Sequence, residues 1–89
     1  MNDKLDDWRK QIDDIDEKII TYLARRAGIV RKIGKLKKQQ NIPTLDKNRW
    51  KQILNSGTKR GEILGLSKDF VKDLLNLIHK YSQQIQEKS

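Results

Sequence analysis

The chain has no cysteine, one proline, one histidine and five aromatic residues in 89 positions. Without cysteine there is no disulfide framework, no thiolate nucleophile and no Cys-ligated metal site. No apolar run approaches the roughly 18–20 residues needed to cross a bilayer. Met1 is followed by polar residues, unlike a secretory signal, so the expectation is a soluble cytoplasmic protein. The few aromatics do not interleave with basic residues as they would on a platform for stacking single-stranded bases. Eighty-nine residues have room for one modest core, so residues 1–89 are expected to form a single domain.

What the chain has is charge, unevenly spread. The formal net charge is +8. Residues 1–20 carry four basic and seven acidic groups, residues 21–60 carry twelve basic groups against Asp46 alone, and residues 61–89 balance. A basic middle suits an anionic partner: nucleic acid, a membrane surface or a small polyanion. For most of these lysines an ordinary solvated face is explanation enough.

The apolar residues recur at helical spacing. Leu5, Trp8, Ile12, Ile15, Ile19 and Tyr22 step by threes and fours, Arg26 takes the next place, and Ile29 and Ile33 continue. A guanidinium stays charged at neutral pH and is costly to bury unpaired. Something anionic should therefore meet Arg26. The pattern predicts a first helix over about 3–40, with Asp3 as its N-cap, stopped by Asn41-Ile42-Pro43 because proline lacks an amide and disfavours helix before it. A second helix is expected over about 46–62. A third is expected over about 67–87, capped by Ser67 after Gly65, with Phe70, Leu74, Leu77, Ile78, Tyr81 and Ile85 on one face. No segment alternates with period two, so the fold class is all-α.

The first helix would be about 54 Å long, whereas a compact chain of this size is about 30 Å across. It must project, and its apolar seam must be covered. A second copy related by a two-fold axis is the simplest cover, giving an intertwined homodimer. Along that helix Arg9 and Arg26 are about 25 Å apart and differ by about 100° in azimuth, so one chain cannot close both on a small ligand. Arg26 and Lys37 are about 16 Å apart at nearly one azimuth and can bracket one. Ser82 and Gln86 share a face of the third helix. Asp46 and Arg49 open the second, where free amides favour an anion or polar oxygen.

These residues carry a resemblance. The stretches Leu5-x-x-Trp8-Arg9-x-x-Ile12-Asp13-x-Ile15-Asp16-x-x-Ile19, Leu23-x-x-Arg26, Ile33-Gly34-x-x-Lys37, Ile42-Pro43-x-x-Asp46-x-x-Arg49 and Ile78-x-x-x-Ser82-x-x-x-Gln86 run in order without an internal gap. Together the chain resembles the all-α chorismate mutases, the AroQ class, from about Leu5 to Gln86. The resemblance implies a pericyclic conversion of chorismate to prephenate in a helical homodimer, within phenylalanine and tyrosine biosynthesis, with no cofactor, metal, nucleic acid or membrane partner. It implies that Arg26, and Arg9 from the other subunit, clamp the substrate carboxylates, with Arg49 and Ser82 completing that shell. Lys37 and Gln86 would donate to the ether oxygen, and Asp46, through its amide, would meet the ring hydroxyl. Family members also occur fused to other aromatic-pathway enzymes, so such an association is a further expectation.

One position departs. The family usually has a glutamate after the arginine that Arg49 matches, and it contacts the ring hydroxyl; here it is Trp50. Tryptophan has one donor and no acceptor. Trp50 falls in helical register with Ile53, Leu54 and Gly57, which favours core packing, while the alternative is a pocket wall. The departure keeps isochorismate-pyruvate lyase and aminodeoxychorismate mutase open, beside a non-enzymatic regulatory or anion-binding module. His79 is expected at the surface or a pocket edge, and the Asp13-Asp14 and Asp16-Glu17 pairs as charges favourable to the helix dipole.

Overall fold

The computed structural model describes residues 2–89 as three helices: α1 (Asp3–Gln39), α2 (Lys47–Ile63) and α3 (Lys68–Lys88). No strand occurs among the described residues. Each helix begins on a short polar side chain that accepts a backbone N–H: Asn2 from Leu5, Asp46 from Arg49 and Ser67 from Phe70. The first cap corrects the expectation at Asp3 by one residue. Asn2 and Asp3 are both competent acceptors, and the extended backbone of Asn2 puts its oxygen 3.2 Å from Leu5 N.

Two helices end alike. Asn41 follows α1 with φ +56°, Asn41 N donates to Lys38 O, and Ile42 N donates to Lys37 O at 2.8 Å. Gly65 follows α2 with φ +85°, with Gly65 N bonded to Glu62 O and Leu66 N to Gly61 O. These are left-handed caps that satisfy the last carbonyls and turn the chain, and Asn and Gly are the residues that tolerate them. Pro43 then prevents any continuation of α1.

Helix α3 is the middle element, packed against α1 on one side and α2 on the other. Close approach to α2 depends on Gly57 and Gly61, one turn apart. A Cβ on Gly61 would lie 2.6 Å from Val71 Cγ2, and one on Gly57 would lie 2.5 Å from Leu75 Cδ1. On the α1 side, a Cβ on Gly34 would lie 3.0 Å from Gln86 Cα and from Ser89 Cβ. The core is small: Ala27, Val30 and Val71 are its buried hydrophobic residues.

The molecule is elongated, 59 × 24 × 14 Å, with a radius of gyration of 16.7 Å. A compact chain of this length would have a radius of about 12 Å. The excess is α1, whose residues 3–25 are all exposed. The apolar seam along it is bare, with Trp8 at 59 % and Ile12 and Ile15 each at 55 % exposure. The expected apolar face of α3 is bare for most of its length as well: Phe70, Leu74, Leu77 and Tyr81 are exposed, while Val71 and Ser82 of the same helix are buried. None of the described helices is long and apolar enough to cross a membrane.

Candidate active site

The inner end of α1, the start of α2 and the last turns of α3 enclose a cavity of about 250 Å³, just below the usual range of small-molecule sites, about 300 Å³ upward. Seven of the eight residues singled out in the sequence line it: Arg26 and Lys37 from α1, Asp46 as the α2 cap, Arg49 and Trp50 from α2, and Ser82 and Gln86 from α3. Three cations thus face one carboxylate, so the wall carries a net positive charge suited to an anion. The eighth, Arg9, lies on the exposed part of α1, outside this cavity and about 25 Å along the helix from Arg26.

Arg26 is held by its partner on α3. Its Nη1 donates to Ser82 Oγ, and that hydroxyl spends its own proton on Ile78 O, 2.9 Å away. Ser82 is 5 % exposed, so both of its bonds are internal to the fold. Its direct task is to aim the guanidinium. Arg26 keeps further N–H groups, since the fork carries five, and this explains how an arginine can interrupt an apolar seam.

Lys37 is pinned from two directions. Its Nζ donates to Gln86 Oε1 at 3.0 Å and to Thr44 O at 2.9 Å, and Gln83 Nε2 reaches the same carbonyl at 3.1 Å. Thr44 sits in the α1–α2 connection, so the turn set by Asn41 and Pro43 delivers the acceptor that positions the ammonium. With Oε1 engaged, Gln86 has its amide hydrogens free of intramolecular partners among the described residues. Lys37 and Gln86 are thus in direct contact on the cavity wall, and both keep N–H groups beyond that bond.

Trp50 resolves to the wall rather than to the core alone. It is half-buried and stacks on His79, with ring centroids 4.0 Å apart and planes at 20°. His79 is also half-buried and lines the cavity. Burial, and secondarily the nearby Arg26 charge, hold its pKa below the ordinary imidazole value of 6.5. Thr44, Gln83 and the Trp50–His79 stack are the cavity features that sequence spacing missed. Each depends on how two elements rotate against each other. No group of three or more His, Asp or Glu residues that could hold a metal ion occurs among the described residues.

Comparison with known proteins bears on this geometry. Residues 8–87 match the family described as chorismate mutase type II. A T-protein of Enterobacter agglomerans is 31% identical over 74 residues, covering 83% of this chain and 20% of that protein. A bifunctional chorismate mutase/prephenate dehydratase of Buchnera aphidicola subsp. Acyrthosiphon pisum (strain APS) is 32% identical over 87 residues, 98% of this chain and 23% of that protein. The chain thus spans about a fifth of the length of these curated relatives. A solved structure, a conserved hypothetical protein from Pyrococcus furiosus, superposes with a TM-score of 0.76 at 30% identity, covering 97% of this chain and 99% of that one. With the family match spanning α1, α2 and α3 and every cavity position named above, the chain belongs to the chorismate mutase type II family.

Proposed function

We propose that this chain is a chorismate mutase, converting chorismate to prephenate in aromatic amino acid biosynthesis. The observation that carries the reading is the direct contact of Lys37 with Gln86 on the wall of a cavity that also holds Arg26 and Arg49. Chorismate is a dianion with an enolpyruvyl ether on a hydroxylated ring. Its rearrangement breaks one carbon–oxygen bond as one carbon–carbon bond forms. No proton must move and no cofactor is called for.

Two tasks remain for the protein. The enolpyruvyl arm must be held over the ring, which lowers the entropic part of the barrier. Arg26 and Arg49 do this by gripping carboxylates, for which a planar two-pronged donor is suited, and Ser82 keeps Arg26 aimed. Negative charge growing on the ether oxygen must also be stabilised. The Lys37 ammonium and the Gln86 amide are fixed donors for it, and fixed donors in a site shielded from water act strongly on a charge that develops only in the transition state. The Asp46 amide, at the start of α2, donates to the ring hydroxyl oxygen.

The active assembly in this reading is a two-fold homodimer. The bare seam of α1 and the exposed face of α3 call for cover, and a second copy brings Arg9 to the mouth of the cavity that its own chain cannot reach. The helical region acts as one domain in the cytoplasm. Association with another aromatic-pathway enzyme is part of the proposal, supported by the relative named as a bifunctional chorismate mutase/prephenate dehydratase.

Incubating the protein with chorismate and following prephenate formation tests the reading. Turnover that vanishes in Lys37→Ala supports it; no turnover at micromolar enzyme, with or without a partner enzyme, sinks it. Trp50 favours one second reading, action on a relative of chorismate such as isochorismate, because the wall facing the ring differs from the family pattern. Pyruvate release from isochorismate, exceeding prephenate formation from chorismate, would select that alternative.

A further inference from the structure

The Trp50–His79 stack has no task in the rearrangement as derived above. His79 is the only histidine of the chain and lies on α3, three residues before Ser82. Its near-parallel contact with the indole, at 4.0 Å between centroids, fixes the plane of the imidazole.

Several hydrogen-bond acceptors of the cavity wall are already engaged. Ser82 Oγ accepts from Arg26, Gln86 Oε1 accepts from Lys37, Thr44 O accepts from Lys37 and Gln83, and Asp46 Oδ1 accepts from Arg49 N, which leaves Asp46 Oδ2, Gln83 Oε1, the Thr44 hydroxyl and the His79 ring as unengaged acceptors of the wall; of these only the His79 ring is held in a fixed plane by an aromatic stack. A ring hydroxyl entering this cavity needs an acceptor for its proton as well as a donor for its oxygen. His79 makes no side-chain hydrogen bond among the described residues, and a neutral imidazole offers one donor and one acceptor. Trp50 offers only a donor. The charged groups on the wall are Arg26 and Lys37 from α1 and Asp46 and Arg49 from α2. Burial opposes protonation of the imidazole, and the nearby Arg26 charge acts in the same direction.

We propose that His79, oriented by its stack on Trp50, is the specificity-determining residue that accepts the hydrogen bond of the substrate's ring hydroxyl. His79 does the recognition and Trp50 is a positioning residue. The inference rests on the chorismate mutase reading and adds a substrate class to it: the site takes a hydroxyl-bearing dianion. An analogue carrying an ammonium group in place of the hydroxyl is rejected, because it meets a cationic wall and its N–H groups add to the charge there.

The sign of the pH dependence follows. An imidazolium has two donors and no acceptor, so recognition is lost as pH falls through the His79 pKa. That pKa lies below 6.5, so the loss appears on the acid side of that value.

The test is a set of pH profiles of kcat/KM for chorismate with wild type, His79→Leu, His79→Gln and Trp50→Ala, each checked by its melting curve. Expected are an acid limb in wild type and a loss of about tenfold in His79→Leu, the size of one neutral hydrogen bond. That loss falls mainly in KM, because the hydroxyl does not change during the reaction. His79→Gln, whose amide oxygen accepts, recovers most of the activity without the acid limb. In Trp50→Ala the limb moves toward 6.5 as the ring gains solvent. If His79→Leu fails to fold, His79→Gln carries the test alone. Wild-type activity in His79→Leu, a persistent acid limb in His79→Gln, or an equal loss in both variants overturns the proposal. Wild type that never turns over chorismate overturns the reaction itself, and this inference with it. A separate binding readout uses the single histidine: its imidazole NMR signals should shift on adding prephenate, and unmoved signals under saturating product contradict the contact.

Discussion

The two ends of α1 share one periodicity and differ in everything around them. From Arg26 onward the helix packs on α3, buries Ala27, Val30 and Gly34, and sends Arg26 and Lys37 into the cavity. Residues 3–25 touch nothing that shelters them, yet carry the same three-and-four spacing of large apolar side chains. Helical patterning alone therefore does not tell a core face from an interface face. The distinction comes from length: a helix of 37 residues outruns the short helices that could cover it. The proposed catalytic site sits at the sheltered end and the proposed assembly surface at the bare one, joined by a single helix. In the dimer proposed here, the bare end of one copy completes the sheltered end of the other.

The largest expected effect lies at the sheltered end. Lys37→Ala removes the proposed donor to the ether oxygen and should lower kcat by about 10²–10³-fold, the cost of losing one fixed donor to a developing oxyanion, with little change in melting temperature. Steady-state kinetics beside circular dichroism checks it; a loss of less than about fivefold would place the donor elsewhere.

The bare end is broken by charge. Ile12→Asp together with Ile15→Asp should weaken self-association by at least about 100-fold, since a buried isoleucine is worth about 1.5–3 kcal/mol and each substitution acts twice in a two-fold interface. Analytical ultracentrifugation should show monomer at concentrations where wild type is dimeric, with activity lost in parallel. A monomer that keeps full activity would separate the two ends of α1 functionally and refute the shared site.

A smaller effect concerns what holds α3 beside α2. Gly61→Ala places a methyl group 2.6 Å from the stiff β-branched Val71 and should cost about 1–3 kcal/mol, partly offset by the helix-favouring gain of about 1 kcal/mol. Gly57→Ala meets only the end of the more adaptable Leu75 and should cost less. Denaturant melts of the two variants rank them; a Gly61→Ala protein more stable than wild type would show that the helices have room to move apart.

Much of this fold is legible in the amino-acid order because its signals are local. Pro43, Asp46, Gly65 and Ser67 mark helix ends through their own backbone chemistry, so the boundaries fall within a residue or so of expectation. The exception, Asn2 in place of Asp3, is a choice between two adjacent acceptors. Cavity residues on one helix, such as Arg26 with Lys37 or Ser82 with Gln86, are legible for the same reason: periodicity puts them on a common face. What stayed hidden needs two elements at once. Thr44 presents a carbonyl rather than a side chain, and no residue preference records that. The stack of Trp50 on His79 depends on the rotation of α2 against α3, which the small residues at Gly57 and Gly61 permit without announcing. Read within its own helix, Trp50 looks like core; set beside α3, it is part of the cavity wall.

The most direct test of the shared site mixes two inactive proteins. Arg9→Ala and Lys37→Ala chains should each be strongly impaired alone. Once subunit exchange is confirmed by native mass spectrometry, an equal mixture should recover about a quarter of wild-type activity, because half of the dimers are mixed and each of those holds one intact site. No recovery after complete exchange would contradict the completion of one chain's cavity by the other chain's Arg9.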